Sequence, residues 1–503
     1  MTTETVPSLL RRARAQGDAL VERLPPPLRR VVRGQVRVHS GWRWAAFAAF
    51  GLQLVVVAVN HEPWFDEAQA WLLARDLSPW QLLAGQLRYE GTPGLWHLLL
   101  MPLAKSGAPY ASMHVLTVTI ALAGAYVLVR HGPFPLPVTA LLLFSFAIGY
   151  QYAVVARSYV LMPLLLFLLA RTWPDRATQV GRLTVLLVIL ANVSVHGLLI
   201  AGSLTALHLR ERWRERDQLG PDAVRRHLVL AGVMVAVGLI VVAQLWPPED
   251  LLVGGDTNTA VSTWIPIAIR VYNSVLTGNF LFSALAVLMS GWWFHRSGTL
   301  ALWALPTGAL IALSVLRYHN YWHDGVPFLV WVFAFWVAFE RWPPDEPARR
   351  WSRLIGLAGL VGVLIVHAVW WANAAGHDLH RPYSASPEAA AYLQEEGLLD
   401  GTMWAVGFHS LSLQPYFERN IFDNYADGAD AAYWHWASPT WLEEDRRELV
   451  KAAPDTIVWG VKFSHQERLW TLADYEVVAA FPGDLYWKNR VVERDAFVIL
   501  RRR

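Results

Sequence analysis

Two carboxylates stand side by side at Asp66 and Glu67, just past the first long apolar run, in the stretch His61-Glu62-Pro63-Trp64-Phe65-Asp66-Glu67-Ala68-Gln69-Ala70-Trp71. A third, Glu90, follows within Arg88-Tyr89-Glu90-Gly91-Thr92-Pro93. A carboxylate at the mouth of a membrane segment persists where it stays wet, binds a cation or does chemistry, so function is sought here first. Arg157 and Tyr159 open a leucine-rich run, while Arg317, His319, His323 and Asp324 gather between two apolar stretches. His97 and His196 lie at the starts of two others. Carboxylates with guanidinium and imidazole groups suit a reaction in which a hydroxyl loses its proton and a phosphate departs.

Each residue also has a plainer use. Asp66 and Glu67 would complement the dipole of a surface helix, Glu90 could simply be solvated, and Arg157 and Arg317 could snorkel to lipid headgroups. His319 and His323, four positions apart, would share one helix face and form a divalent-metal pair with Glu90 or Asp324. Set among aromatic residues, they serve equally as interfacial anchors. No His-Glu-x-x-His pattern occurs, which argues against a metalloprotease.

The elements that must position these groups are membrane helices. The 503 residues are 54% hydrophobic and only 17% charged, against about 25% charged in soluble proteins. Apolar runs long enough to cross about 30 Å of hydrocarbon recur along the chain. The 27 tryptophans suit indole anchors at helix ends. With no cysteine, disulfides and thiolate chemistry are excluded. The net charge of +3 says less than where the arginines fall, which is before residue 44, over 171–182 and 210–226, at Arg296, and over 341–353. Placing these clusters in the cytoplasm by the positive-inside rule gives about eleven spans, roughly 44–60, 110–129, 136–156, 158–171, 183–195, 196–209, 227–246, 264–294, 299–316, 325–340 and 354–372.

Three regions follow: a basic cytoplasmic segment (1–43) suited to the anionic inner leaflet, a transmembrane domain (44–372) whose first outer loop (61–109) carries juxtamembrane helices, and an extracytoplasmic domain (373–503). The first apolar run has too many residues before it, and no cleavage site after it, for a signal peptide. In the last region, Ser386 to Glu396 and Trp441 to Ala452 read as helices. Thr402 to Phe408, Thr456 to Val461, Tyr475 to Phe481 and Ala496 to Leu500 read as strands, with a polar turn at Asp484 to Asp495. Such alternation describes a small α/β domain. With this weave, all the ionisable residues singled out above reach one side of the membrane.

Over residues 55–175 the chain resembles the GT-C glycosyltransferases, in particular the protein O-mannosyltransferase and lipid A aminoarabinose transferase branch. Asp66-Glu67 matches that branch's aspartate-glutamate pair in the first outer loop. Tyr89-Glu90-Gly91-Thr92-Pro93 is similar to its second carboxylate before prolines, and Ala156-Arg157-Ser158-Tyr159 to its arginine-aromatic helix start. The sequence departs from the family at Gly91 and Thr92, where relatives often carry a lysine or histidine. The resemblance implies a polyprenyl-phosphate sugar donor and inverting transfer to an extracytoplasmic acceptor in a bacterial plasma membrane. In that scheme Asp66 is the base, with Glu67 orienting it or the acceptor and Glu90 as a further catalytic carboxylate. Arg157 and Arg317 then hold the donor phosphate, and Tyr89, His97, Tyr159, His196 and Asp324 line the site. Membrane lipids are the other expected partners, with no nucleic acid. Cofactor identity stays open apart from the divalent metal considered above. Two alternatives remain, a lipid-linked sugar transporter or flippase and a non-enzymatic membrane scaffold. A transporter would favour mid-membrane polar groups and paired halves, whereas here the polar groups gather on one side.

Overall fold

A computed structural model describes residues 40–251, 258–317, 319–341, 350–425, 432–437, 449, 451–462 and 474–503. Most of the basic segment 1–43 and most of the expected helix Trp441 to Ala452 lie outside the described residues.

Among the described residues, five helices are long and apolar enough to cross a membrane: Gly41–Asn60, Ser112–His131, Pro221–Leu245, Tyr321–Arg341 and Trp351–His380. A sixth span is made if the bent pair Val261–Leu276 and Phe280–Ser297 is taken together. This pair replaces the single span expected over 264–294. The chain turns by 82° between its halves, where Gly278 takes a left-handed φ of 72° and Asn279 caps the second helix by accepting from the amides of Leu281 and Phe282. Further helices fill in the bundle: the 20-residue, less apolar Val195–Arg214 and the shorter Leu161–Thr172, Val180–Ala191 and Leu300–Leu316.

The span expected over 136–156 is also broken. Its helix stops at Leu143, Ser145 returns its hydroxyl to the Leu142 carbonyl (2.8 Å), and Phe146–Gln151 forms one wide turn. Residues 146–156 are all buried. Irregular backbone at membrane depth is tolerated only where protein rather than lipid surrounds it, and an apolar composition cannot reveal that difference.

At the centre runs Gly325–Arg341, buried from Gly325 through Phe339. A helix apolar on every side belongs inside a bundle. Its first residue meets the ring of Tyr152 so closely that a Cβ there would lie 2.6 Å from it. Only glycine brings this helix start up to the segment that leads into Arg157.

The C-terminal region begins with helix Ser386–Glu395, which has Pro387 in its first turn. Strands β1 (Met403–Val406), β2 (Thr456–Val461), β3 (Tyr475–Phe481) and β6 (Ala496–Arg502) form one sheet in the order β1-β2-β6-β3. The β1–β2 pair is parallel and the other two pairs are antiparallel. The segment expected as a polar turn is instead a hairpin of β4 (Asp484–Trp487) and β5 (Arg490–Arg494). The chain is thus a helical protein of membrane-spanning composition that carries a small α/β domain.

Candidate active site

The first helix after the opening span, Phe65–Asp76, is held by a buried ionic network. Glu67 is fully buried and accepts from the amides of Trp64 (3.2 Å) and Ala156 (2.6 Å). It also meets His61 Nε2 at 3.2 Å, while His61 Nδ1 meets Asp378 at 2.9 Å. Burial alone would push the His61 imidazole down, but Asp378 and then Glu67 overcome this and raise it to about 10. Burial likewise pushes the Glu67 carboxyl up, and His61 outweighs it, leaving Glu67 below its ordinary value. An imidazolium therefore bridges two carboxylates and ties the loop entry, the helix start and the last membrane helix together.

This corrects the expectation that Glu67 works beside Asp66 in the site. Neighbouring residues on a helix point about 100° apart. Glu67 turns inward to the network, and Asp66 alone faces the opening.

Asp66 lines a cavity of about 680 Å³ between the helices and the C-terminal domain. Glu90, Arg157 and Arg317 share it, with Tyr89, His97, Tyr159, His196 and His323 also in its wall. Arg157 Nη1 donates to Asp66 Oδ2. Glu90 is half-buried, and both of its amide donors, Gln69 (2.8 Å) and Gln86 (3.1 Å), converge on Oε1. Burial pushes the Glu90 carboxyl up to about 7, against the pull of those two bonds. The same Gln69 clips the backbone of Trp434 in the C-terminal region, accepting from its N–H (2.7 Å) and donating to its carbonyl (2.9 Å). One side chain thus registers the carboxyl against the opposite wall.

Tyr89 donates to Asp250 at 2.9 Å and sets its ring 4.4 Å from that of His435. Burial pushes His97 down to about 4, so it stands in the wall as a neutral ring. His323 packs its ring 4.5 Å from His196 and 5.4 Å from Tyr159. Three expectations change here. His319 and His323 do not share a helix, because Asn320 caps a short 3-10 turn, Tyr321–His323, that begins after His319. Asp324 is buried behind the wall, bonded to the Ser274 hydroxyl and 3.8 Å from Lys488 Nζ. Among the described residues, no group of three or more His, Asp or Glu side chains is placed to hold a metal ion.

Sequence reasoning missed the far wall, made of Phe408, His409, Trp436, Lys462 and Glu493. All lie more than 300 residues beyond Asp66, and no local spacing connects them to it. The cavity can hold an anionic headgroup beside two guanidinium groups, with a carboxylate at hand to take a proton.

No protein-family sequence model matches the chain. No curated protein sequence matches it either. Among solved structures, the chain is similar to ArnT from Cupriavidus metallidurans, crystallised bound to undecaprenyl phosphate, with 13% identity and a TM-score of 0.48 over 92% of this chain and 98% of that one.

Proposed function

We propose that this chain is a membrane glycosyltransferase that moves a sugar from a polyprenyl-phosphate donor to a hydroxyl acceptor with inversion. The observation that carries the reading is the convergence of Asp66, Glu90, Arg157 and Arg317 on one cavity. In the proposed reaction the acceptor oxygen attacks the anomeric carbon as the bond from that carbon to the phosphate oxygen breaks. The bonding electrons leave with the phosphate, and the hydroxyl proton passes to Asp66. Arg157 and Arg317 take the growing charge on the phosphate, since a guanidinium stays charged at every relevant pH and presents paired donors. Fixed charge of this kind typically lowers a barrier by several kcal/mol. Glu90, poised near neutrality, can offer the same phosphate a proton. Glu67 acts only through the helix that it anchors.

We place the cavity on the outer face of a bacterial plasma membrane, with the N-terminus in the cytoplasm, since a lipid-carried donor serves a site that nucleotide sugars do not reach. The test incubates purified protein with a panel of polyprenyl-phosphate sugars and follows release of polyprenyl phosphate. Consumption of at least one donor is expected, abolished in Asp66→Asn with the protein still folded. No consumption of any donor, or an active Asp66→Asn variant, would overturn the assignment.

A further inference from the structure

The cavity has two unlike sides. Cations and carboxyls of the membrane helices occupy one, and the C-terminal domain presents flat aromatic faces on the other. Phe408 and Trp436, both half-buried, stand 5.9 Å apart and inclined at 56°, and Phe65 packs edge-on to each at 4.9 and 5.9 Å. Trp322 adds a fourth ring from the start of the central helix, packed 5.2 Å from Trp64. Between the rings lie groups that exchange hydrogen bonds, Lys462 and Glu493, 3.5 Å apart, with Lys462 Nζ over the Phe408 ring.

His409 is the most constrained member of this wall. Gly407, at a φ of 79°, lets the chain turn sharply after β1; a Cβ there would strike the Gly460 carbonyl at 2.5 Å. Ser410 fixes the turn by bonding the Val406 carbonyl (3.0 Å) and accepting from the Gly460 amide (3.0 Å). The His409 ring then lies nearly flat on Phe65, the residue before Asp66, at 5.5 Å and 19°. Its Nδ1 bonds Asp495 at 2.7 Å. Asp495 is buried and also accepts the hydroxyls of Ser384 (2.6 Å) and Ser412 (3.4 Å). The bond to Asp495 holds the ring in one orientation and leaves Nε2 as the nitrogen with which it can bond a ligand. Nothing in the transfer scheme uses this dyad.

We infer that this wall is the acceptor subsite and that the acceptor is a carbohydrate. A pyranose ring has one apolar face, which stacks on an aromatic plane, and a rim of hydroxyls, each both donor and acceptor. Phe408 and Trp436 supply the planes. The Glu493 carboxylate takes hydroxyl hydrogens, Lys462 gives one back, and His409 Nε2 adds a further ring-nitrogen contact. A phosphorylated acceptor would meet Glu493 beside Lys462, the one cation among the described residues of this wall, which disfavours it. An extended peptide would need backbone partners, which side-chain rings do not provide. The inference rests on the transfer reading above, since it assigns the second substrate of the same cavity.

Full-length protein in detergent is passed over an array of immobilised oligosaccharides, with a peptide array beside it, and the sugar best retained is titrated in solution. Trp436→Ala and Phe408→Ala are each expected to weaken that sugar at least tenfold, with Trp436→Phe restoring most of the loss. His409→Leu is expected to weaken it several-fold, by removing the ring nitrogen that bonds the sugar. Retention of peptides but not sugars, retention of nothing above a heat-denatured control, or undiminished sugar binding in both alanine variants overturns the subsite. Capture of undecaprenyl phosphate by the wild-type protein, measured alongside, separates the two readings. Lipid binding without sugar binding sinks the subsite alone, and neither kind of binding sinks the transfer reading with it.

Discussion

At the residue scale, the Asp66–Arg157 pair would set the proposed base and the donor phosphate in competition for one guanidinium. Both side chains are about a quarter exposed, so their attraction is worth about 1 kcal/mol, as for other partly solvated pairs. In the proposed scheme a donor phosphate that takes over Arg157 would have to replace that attraction, and would release Asp66 to act as base at the same moment. Asp66→Asn is therefore expected to bind undecaprenyl phosphate roughly fivefold more tightly than wild type while losing transfer, and Arg157→Ala to bind it more weakly. Weaker binding by Asp66→Asn in a titration would instead mean that the carboxylate only orients Arg157. Glu90 adds a pH dependence. With its carboxyl raised to about 7, it is neutral below that pH and gains a negative charge above it, which opposes an anionic phosphate. The affinity ratio of Glu90→Gln to wild type should stay near unity at acid pH and climb severalfold above neutrality. Taking the ratio cancels the titration of the phosphate itself, so a flat ratio would remove Glu90 from the phosphate's surroundings. Asp66, Glu90 and Arg157 could be singled out in the sequence because ionisable groups at the ends of apolar runs are costly without a use. His409 could not, since its partner Asp495 is 86 positions away and its target is in another domain.

At the scale of elements, the helix Phe65–Asp76 is only as well placed as the His61 network beneath it. Removing the imidazolium leaves Glu67 and Asp378 buried without their shared cation, a loss of about 3–5 kcal/mol in comparable sites. His61→Ala should accordingly lower the melting temperature far more than a cavity of one ring would. Because the folded pKa of His61 lies above its unfolded value, its contribution is full below about pH 6.5 and declines as pH rises towards about 10. Thermal melts across that window should show wild type losing stability and His61→Ala losing much less; parallel curves would reduce the network to packing. The strands Thr456–Val461 and Tyr475–Phe481 occupy the limits expected from the sequence, because short runs bounded by breaks declare themselves locally. The hairpin at Asp484 to Arg494 did not, since short, partly exposed polar strands carry the composition of a turn. Nor did the break after Leu143, where a buried irregular backbone is as apolar as a helix. Glu67 shows the same limit in miniature: adjacency to Asp66 suggested a shared task, and helical geometry separated them.

At the scale of the whole molecule, the cavity exists only while the C-terminal domain stays seated on the bundle, and the β4–β5 hairpin is one of the contacts that seat it. Lys488, at the hairpin turn, reaches into the helices, bonds the Ser274 carbonyl and lies 3.8 Å from Asp324. Its ammonium sits 4.3 Å from the ring centre of Trp370 and 3.8 Å from that of Trp487. Burial pushes the Lys488 ammonium down to about 7, with Asp324 opposing the fall. Close by, Tyr321 donates to Glu493 at 2.9 Å, linking the latch to the aromatic wall that we assign to the acceptor. Lys488→Met is the informative substitution. Lys488 has a φ of 61°, and methionine in its place bears the same backbone cost and keeps most of the stem between the two indoles. What it loses is the charge, leaving Asp324 buried beside Ser274 without its cation. We expect hydrogen exchange of the hairpin amides to accelerate by at least an order of magnitude, as a local opening made easier by about 2 kcal/mol would require. Adding Asp324→Asn removes the orphaned charge and should recover more than half of that loss, the coupling expected of two groups in contact. If the double variant exchanges faster still, in simple sum of the two single effects, then Lys488 and Asp324 act independently. The domain must then be held by the Gln69–Trp434 clip and the surrounding rings.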